Sequence, residues 1–276
     1  MAKRIISGTV GAVFIIMVVF FSSVYPIIID IGISAICACS IFEIFAAVNI
    51  KRSFYLVVPS VVFSLLLPVS IATPYWWIAF YLYTVALFGI MIWKRDVFKF
   101  KDVAVIYGMT IMVTLSLATL SLLSKMDENI AVFFIMFVLV VTWMSDTGAF
   151  FIGTAFGKHK LAPTISPKKT VEGALGGVVF ALVSGVLISL LFEKVILSPH
   201  IYINYIVVTV LSLATSVISI LGDLIFSYLK RACNIKDFGN VIPGHGGILD
   251  RFDSVIFAAP LIYSCTLIIP WATYIK

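Results

Sequence analysis

Apolar runs recur along the whole chain, each about 20 residues long, and short charged segments separate them. A run of that length is enough to cross the hydrocarbon core of a bilayer as a helix. Only 12% of the 276 residues are charged, about half the fraction typical of soluble domains. The sequence therefore predicts an all-α, polytopic integral membrane protein without a soluble domain.

Hydropathy predicts about nine transmembrane helices. We divide the chain into two parts by the sequence features that each contains. In the N-terminal part, 1–140, hydropathy alone predicts the helices, whereas the C-terminal part, 141–276, also carries the catalytic motifs. Both parts are expected to form one membrane unit. The predicted spans lie near 5–23, 25–48, 54–72, 75–93, 103–123, 130–152, 172–192, 202–229 and 254–275.

The distribution of basic residues predicts the orientation of these helices. With the N-terminus in the cytoplasm, 16 of the 19 Lys and Arg residues fall on the cytoplasmic side, as the positive-inside rule requires. This bias predicts a protein of the cytoplasmic membrane whose polar segments face the cytoplasm. The same charge is compatible with attraction to anionic lipid, with a site for a polyanion, or with both.

Three acidic residues lie well inside predicted spans, away from their ends, where a charge is costly unless it faces the protein interior or water. Glu43 is compatible with a structural role or with a cavity, and small residues around Asp146 indicate a polar clamp or a site. Asp223 is expected to face inward, in an internal ion pair or in a functional site. Helical spacing places it on one stripe with Ser216, Ser219, Ser227 and Lys230.

The segment ISPKKTVEGALGG, residues 165–177, resembles the start of a helix. Ser166 is expected to be the N-cap, with Pro167 in the first helical position. Lys168 and Lys169 would then add positive charge to a helix N-terminus, which favours phosphate binding. An ordinary helix that packs closely through its glycines is the alternative.

A polar segment, residues 236–254, lies between the last two apolar runs. Its glycines, Gly246 and Gly247 among them, predict a loop whose backbone N–H groups can approach an anion. Asp250 and Asp253 follow three residues apart on a helix, and with Asp223 they suit a hard cation such as Mg²⁺. Cationic side chains nearby would neutralise phosphate oxygens: Lys230, Arg231, Lys236 and Arg251.

His245 lies in the same loop and leaves three interpretations open. Its ring could orient a phosphate or sugar, transfer a proton, or cap the loop. We include it in the predicted site together with Asp237, to which no specific role is assigned.

The run SYLKRACNIKDFGNVIPGHGGILDRFD, residues 227–253, resembles the signature of the phosphatidate cytidylyltransferases, also called CDP-diacylglycerol synthases. The segment 145–177 also resembles that family, whereas residues 1–140 resemble it only in hydropathy. One departure is Phe226, since the family often has Glu immediately before the serine.

This resemblance implies that the protein transfers CMP from CTP to phosphatidic acid, with release of pyrophosphate. It also implies that the reaction needs Mg²⁺, with a second cation in some members. The metal ligands would be Asp223, Asp250, Asp253 and Asp146. The catalytic set would comprise Asp223, Asp250, Asp253, Lys230, Arg251 and His245. The remaining phosphate-binding and substrate-binding residues would be Ser166, Lys168, Lys169, Ser227, Arg231, Lys236, Asp237, Gly246 and Gly247.

The expected partners are CTP, phosphatidic acid and membrane lipids, with no nucleic acid, and the glycine-rich helix faces are compatible with a homodimer. Two alternatives remain at this point. A related CTP-dependent enzyme, either a lipid kinase or a cytidylyltransferase for another lipid phosphate, would use the same residue types. A transporter would also hold acids within its helices, but polar residues near the midplane of two related halves would be expected.

Overall fold

In a computed structural model the described part of the chain is mostly helical and contains four short strands. The structure describes residues 25, 27–50, 54–127, 130–197, 201–241 and 246–274. In chain order the helices are α1 Ile27–Val48, α2 Phe54–Ser70, α3 Trp76–Trp93, α4 Phe100–Leu123, α5 Ala131–Phe156, α6 Val171–Leu191, α7 Tyr205–Ala232 and α8 Leu249–Thr266. A π-helical turn, Phe192–Ile196, extends α6.

Six helices of the described part of the chain are long and apolar enough to cross a membrane: α1, α3, α4, α5, α6 with its π-helical turn, and α7. Helices form here because a bilayer core offers no water to hydrogen-bond the backbone. The prediction of an all-α polytopic membrane protein is confirmed at this level. The first predicted span, 5–23, lies outside the described residues, so the number nine stays a prediction.

The chain divides by packing into two compact units. The first unit comprises residues 1–125 and 233–252, and the second comprises residues 126–232 and 253–276. In the first unit α1 packs against α2 and α4, and α2 also contacts α3 and α4. In the second unit α6 packs against both α5 and α7.

Buried polar contacts tie the helices of the first unit together. The Ser60 and Tyr83 hydroxyls lie 3.2 Å apart between α2 and α3. Asp30, near the start of α1, is only 2% exposed and forms an ion pair of 2.8 Å with Lys125, just beyond α4. Such pairing reduces the cost of placing a carboxylate in an apolar environment.

Glycines set the distance between α5 and α6 in the second unit. A Cβ atom at Gly173 would lie 2.8 Å from the Ala149 carbonyl oxygen, and one at Gly177 would lie 2.8 Å from the Ser145 carbonyl oxygen. Both distances are too short for real atoms, so the two backbones approach only because these side chains are absent. The alternative that the sequence left open, a helix that packs closely through its glycines, is therefore present at Gly173 and Gly177.

Strands β1 Lys160–Ala162 and β2 Ser166–Thr170 form an antiparallel hairpin before α6. The predicted N-cap at Ser166 is therefore wrong, because residues 166–170 are extended and pair with β1. The helix begins at Val171, and Thr170 is its N-cap, with Oγ1 accepting a bond of 3.1 Å from the Gly173 N–H. Strands β3 Ile201–Ile203 and β4 Ala272–Tyr274 also pair antiparallel.

Candidate active site

The β1–β2 hairpin brings Lys169 to the acid in the middle of α7. Lys169, on β2, forms an ion pair with the Asp223 carboxylate, and both side chains are largely shielded from solvent. Glu172 closes the base of the hairpin: its Oε2 accepts a bond of 3.0 Å from the Lys158 N–H, and its Oε1 lies 2.6 Å from His159 Nδ1. The internal lysine–aspartate pair predicted for Asp223 is therefore present, with Lys169 as the partner.

A cavity of about 260 Å³ opens beside this ion pair. Its polar lining consists of Asp146, Asp223, Lys168, Lys169 and two threonines. The remaining walls come from α5, α6, α7 and the hairpin, through Ala149, Phe150, Gly153, Leu161, Gly173, Ala174 and Ile220. A charged group with an apolar attachment is the kind of ligand that such a lining suits.

Two further acids of the second unit lie near Asp223. Asp146 is close enough to Asp223 and Asp253 for their charges to interact, and Asp146 Oδ2 accepts a bond of 3.1 Å from the Ser254 hydroxyl. Lys230 Nζ lies 3.9 Å from Asp253 Oδ2. The structure thus brings together three of the four acids that were predicted as metal ligands.

The predicted hydroxyl stripe of α7 does face the protein interior. Ser216 and Ser219 have no exposed surface, and Ser227 is 8% exposed. The Ser216 hydroxyl lies 2.8 Å from the Ser145 hydroxyl on α5, and the Ser227 hydroxyl donates to Asp223 Oδ1 at 3.4 Å. Of this stripe, Ser227 is the residue that contacts Asp223.

The polar loop before α8 belongs to the first unit, and Asp250 organises it. Asp250 Oδ2 accepts bonds from the Phe238 N–H at 2.9 Å and the Gly247 N–H at 3.0 Å. Gly246 has a φ of +84°, a backbone conformation that glycine adopts without strain. The loop prediction is confirmed for its described residues, and so is the position of Asp250 at the start of a helix.

Glu43 is the residue whose role the sequence left open. Its Oε1 accepts a bond from the Ile248 N–H and its Oε2 accepts one from the Leu249 N–H, both of 2.8 Å. It therefore caps the start of α8 from a helix about two hundred positions earlier. The only sequence signal was an acid in an apolar span, because nothing near it in the sequence identifies its partner.

Other predicted site residues lie at the surface or outside the described residues. Lys168 lines the cavity but is exposed, and Ser166 is half-buried. His245 lies outside the described residues, so its role stays a prediction. The remaining exposed members of the predicted site are Arg231, Lys236, Asp237 and Arg251.

Comparison with known proteins identifies the family. The model of the cytidylyltransferase family matches residues 2–269, nearly the whole chain. The chain belongs to the cytidylyltransferase family. The resemblance inferred from the signature, residues 227–253, is thereby confirmed.

Curated members of the cytidylyltransferase family match about half of the chain. A phosphatidate cytidylyltransferase of Bacillus subtilis is 49% identical over 130 residues, 47% of this chain and 46% of the relative. A protein of the same name from Haemophilus influenzae is 42% identical over 134 residues, 49% of this chain and 46% of the relative. Another from Staphylococcus aureus is 43% identical over 129 residues, 47% of this chain and 47% of the relative. The matched segments thus span about half the length of these relatives.

The acids of this family member fit Mg²⁺ by their chemistry. Mg²⁺ is usually held by one or two carboxylates, while water and substrate phosphates complete its octahedron. Asp146, Asp223 and Asp253 offer such carboxylates in the second unit. Within the described ranges no three His, Cys, Asp or Glu side chains form a metal-binding group, so substrate oxygens or water would be needed. The metal roles of these acids and of Asp250 stay predictions.

Proposed function

We propose that this protein transfers CMP from CTP to phosphatidic acid, which gives CDP-diacylglycerol and pyrophosphate. The observation that carries the proposal is the Lys169–Asp223 pair at a cavity whose other walls are mostly apolar. A lipid phosphate needs a cation for its head group and apolar surface beside it. Membership of the family and the names of the curated relatives support the same reaction.

The reaction is an in-line displacement at phosphorus. A phosphate oxygen of phosphatidic acid forms a bond to the α-phosphorus of CTP, and the bond from that phosphorus to the oxygen bridging it to the β-phosphorus breaks. Pyrophosphate leaves with the electron pair. Because the chemistry is mostly positioning and charge stabilisation, no protein nucleophile is required.

The chain would contribute cations to hold phosphate and carboxylates to hold a metal. Lys169 and Lys230 lie beside Asp223 and Asp253, so either ammonium can contact a phosphate that binds next to the acids. Bound Mg²⁺ would neutralise charge on the phosphates. Asp146, Asp223 and Asp253 are the proposed ligands in the second unit, and the metal role of Asp250 stays a prediction from the sequence.

Labelled CTP tests the reaction. Purified protein is incubated with Mg²⁺, phosphatidic acid and CTP that carries label in the α- or the γ-phosphate. We expect α-label in a CDP-lipid and γ-label in pyrophosphate. Transfer of γ-label to lipid would identify a kinase, and the absence of any nucleotide-dependent lipid product would refute the proposal. Other lipid phosphates in place of phosphatidic acid test the lipid specificity.

We also propose nine spans with the N-terminus and the active site in the cytoplasm. The support is the 16-to-3 distribution of Lys and Arg. Cys233 lies just beyond α7, immediately before the polar loop, and is partly exposed. With Cys37, Cys39 and Cys265 replaced, it should react with a membrane-impermeant maleimide in inverted vesicles and not in right-side-out vesicles. In a protein without its four native cysteines, Ser124→Cys, beyond α4, should show the opposite pattern, and reversed labelling would contradict the orientation.

A further inference from the structure

We propose that Glu43 is a positioning residue, which holds the polar loop before α8, with its predicted site residues Asp250 and Arg251, in its working conformation. The proposal concerns the first unit, where Glu43 and residues 233–252 lie together. Its kinetic consequence rests on the proposed cytidylyltransferase reaction, whereas its structural consequence does not. The family signature contains the loop but not Glu43.

Both carboxylate oxygens of Glu43 accept hydrogen bonds from the backbone at the end of this loop. They accept from the consecutive N–H groups of Ile248 and Leu249 at 2.8 Å each. These N–H groups lie at the start of α8, where no helical carbonyl is available to accept from them. Glu43 itself is only 5% exposed. Burial limits competition from water for these hydrogen bonds, and an N–H group left without an acceptor there would be costly.

The loop is shaped to admit this carboxylate. A Cβ atom at Gly239 would lie 2.5 Å from Glu43 Oε1, and one at Gly247 would lie 2.5 Å from the same oxygen. Any side chain at either position would displace the carboxylate or the loop. The two glycines therefore leave the space that Glu43 occupies, from opposite ends of the polar loop.

A second carboxylate holds the same loop from within. Asp250 Oδ2 accepts from the N–H groups of Phe238 and Gly247. Glu43 thus fixes residues 248 and 249, while Asp250 joins residue 238 to residue 247. Because Asp250 and Arg251 directly follow the two residues that Glu43 holds, loss of Glu43 would change the orientation of both side chains.

Another acid of the same helix provides a matched control. Asp30 is also buried in α1 but pairs with Lys125 rather than with the loop. If burial of an acid in α1 served only the stability of the first unit, replacement of either residue would have the same consequences. If Glu43 positions the loop, only its replacement should affect residues 246–252.

Amide hydrogen exchange of the purified protein in detergent tests the structural consequence, that Glu43 holds the polar loop. In Glu43→Leu and Glu43→Gln, peptides covering residues 246–252 should exchange faster than in wild type, because the Ile248 and Leu249 amides lose an acceptor. Asp30→Asn should leave exchange in these peptides unchanged even if it lowers the melting temperature. Unchanged exchange in Glu43→Gln would overturn the proposal, and this near-isosteric variant decides the matter if Glu43→Leu does not fold.

Steady-state kinetics with CTP and phosphatidic acid test the consequence for catalysis. We expect kcat to fall about 100-fold in Glu43→Leu, since small displacements of reacting groups have effects of that size. Glu43→Gln keeps one acceptor oxygen, so a smaller loss of about tenfold is expected. The KM for phosphatidic acid should change less than twofold, roughly within error. A normal kcat with accelerated exchange would overturn the positioning role, because the loop would then be loosened without consequence.

Gly239→Ala provides an independent test of the same contact. The added methyl group should displace the Glu43 carboxylate and lower kcat in the wild-type background. In a Glu43→Ala background the space is free, and the same substitution should have little further effect. Additive losses in the double variant would contradict the contact. If wild-type protein forms no CDP-lipid at all, the proposed function fails, but the exchange experiment still decides whether Glu43 holds the loop.

Discussion

The ammonium group of Lys169, on strand β2, forms an ion pair with the carboxylate of Asp223, in the middle of helix α7. Lys169→Met should therefore leave a partly buried carboxylate without its cation and remove the proposed contact for substrate phosphate. We expect CMP transfer to fall about 100-fold, the loss typical of removing one charge-stabilising group. Lys160→Met, an exposed change in the same hairpin, should stay within about twofold of wild type. Equal effects of the two substitutions would show that the ion pair has no special role.

Divalent metal should be required through the acids of the second unit. Chelation by EDTA should abolish CMP transfer, and added Mg²⁺ should restore it. Asp223→Asn and Asp253→Asn keep the size of the side chain but remove its charge, so they should need at least about tenfold more Mg²⁺ for half-maximal rate or lose activity entirely. An unchanged Mg²⁺ titration in both folded variants would exclude these acids as ligands.

The close approach of α5 and α6 should depend on Gly173. In Gly173→Ala the new Cβ would lie 2.8 Å from the Ala149 carbonyl oxygen, so the helices must separate. A destabilisation of about 1–3 kcal/mol is expected for such overpacking, seen as a lower melting temperature in detergent. Gly89→Ala in α3 meets no atom within 4 Å and should not destabilise the protein. Similar melting temperatures for both variants would argue against tight α5–α6 packing.

Phe226, which stands where the family often has Glu, should support the core of the second unit rather than the chemistry. Its side chain has no exposed surface, and its ring contacts Phe257 with centroids 6.2 Å apart. Phe226→Ala should destabilise the protein by about 3–5 kcal/mol through the cavity that it leaves. Tyr228→Ala, at an exposed position, is the control. A Phe226→Ala protein with normal melting and strongly reduced turnover would contradict this assignment.

Helix α6 should depend on Thr170 for its N-terminal cap. Thr170→Val preserves the shape of the side chain but removes the hydroxyl that accepts from the Gly173 N–H. We expect a loss of about 0.5–2 kcal/mol of stability, while Thr170→Ser should retain most of it. Ser166→Ala should have no such effect on the melting temperature, because Ser166 lies in a strand. A larger effect at Ser166 than at Thr170 would restore the original prediction of the helix start.

Local patterns were sufficient for several parts of the site. Three- and four-residue spacing placed Ser216, Ser219 and Asp223 on one face of α7, and the structure shows that face inside. The spacing of Gly173 and Gly177 was compatible with a close helix contact, the alternative to phosphate binding, and α5 provides that contact. The start of α6 was wrong because hairpin pairing extends the chain through Thr170, and such pairing depends on residues that the helical pattern does not include.

The sequence by itself determined the helical membrane class of this protein and its family, since apolar length and a continuous signature are properties of neighbouring residues. Only the tertiary structure decided which charged side chains form ion pairs and which backbone groups the buried acids bind. Lys169 was expected at a helix N-terminus but pairs with Asp223, and Glu43 holds Ile248 and Leu249 across most of the chain. Hydrogen bonds and ion pairs form between atoms that folding brings together, and distance along the sequence does not constrain that choice.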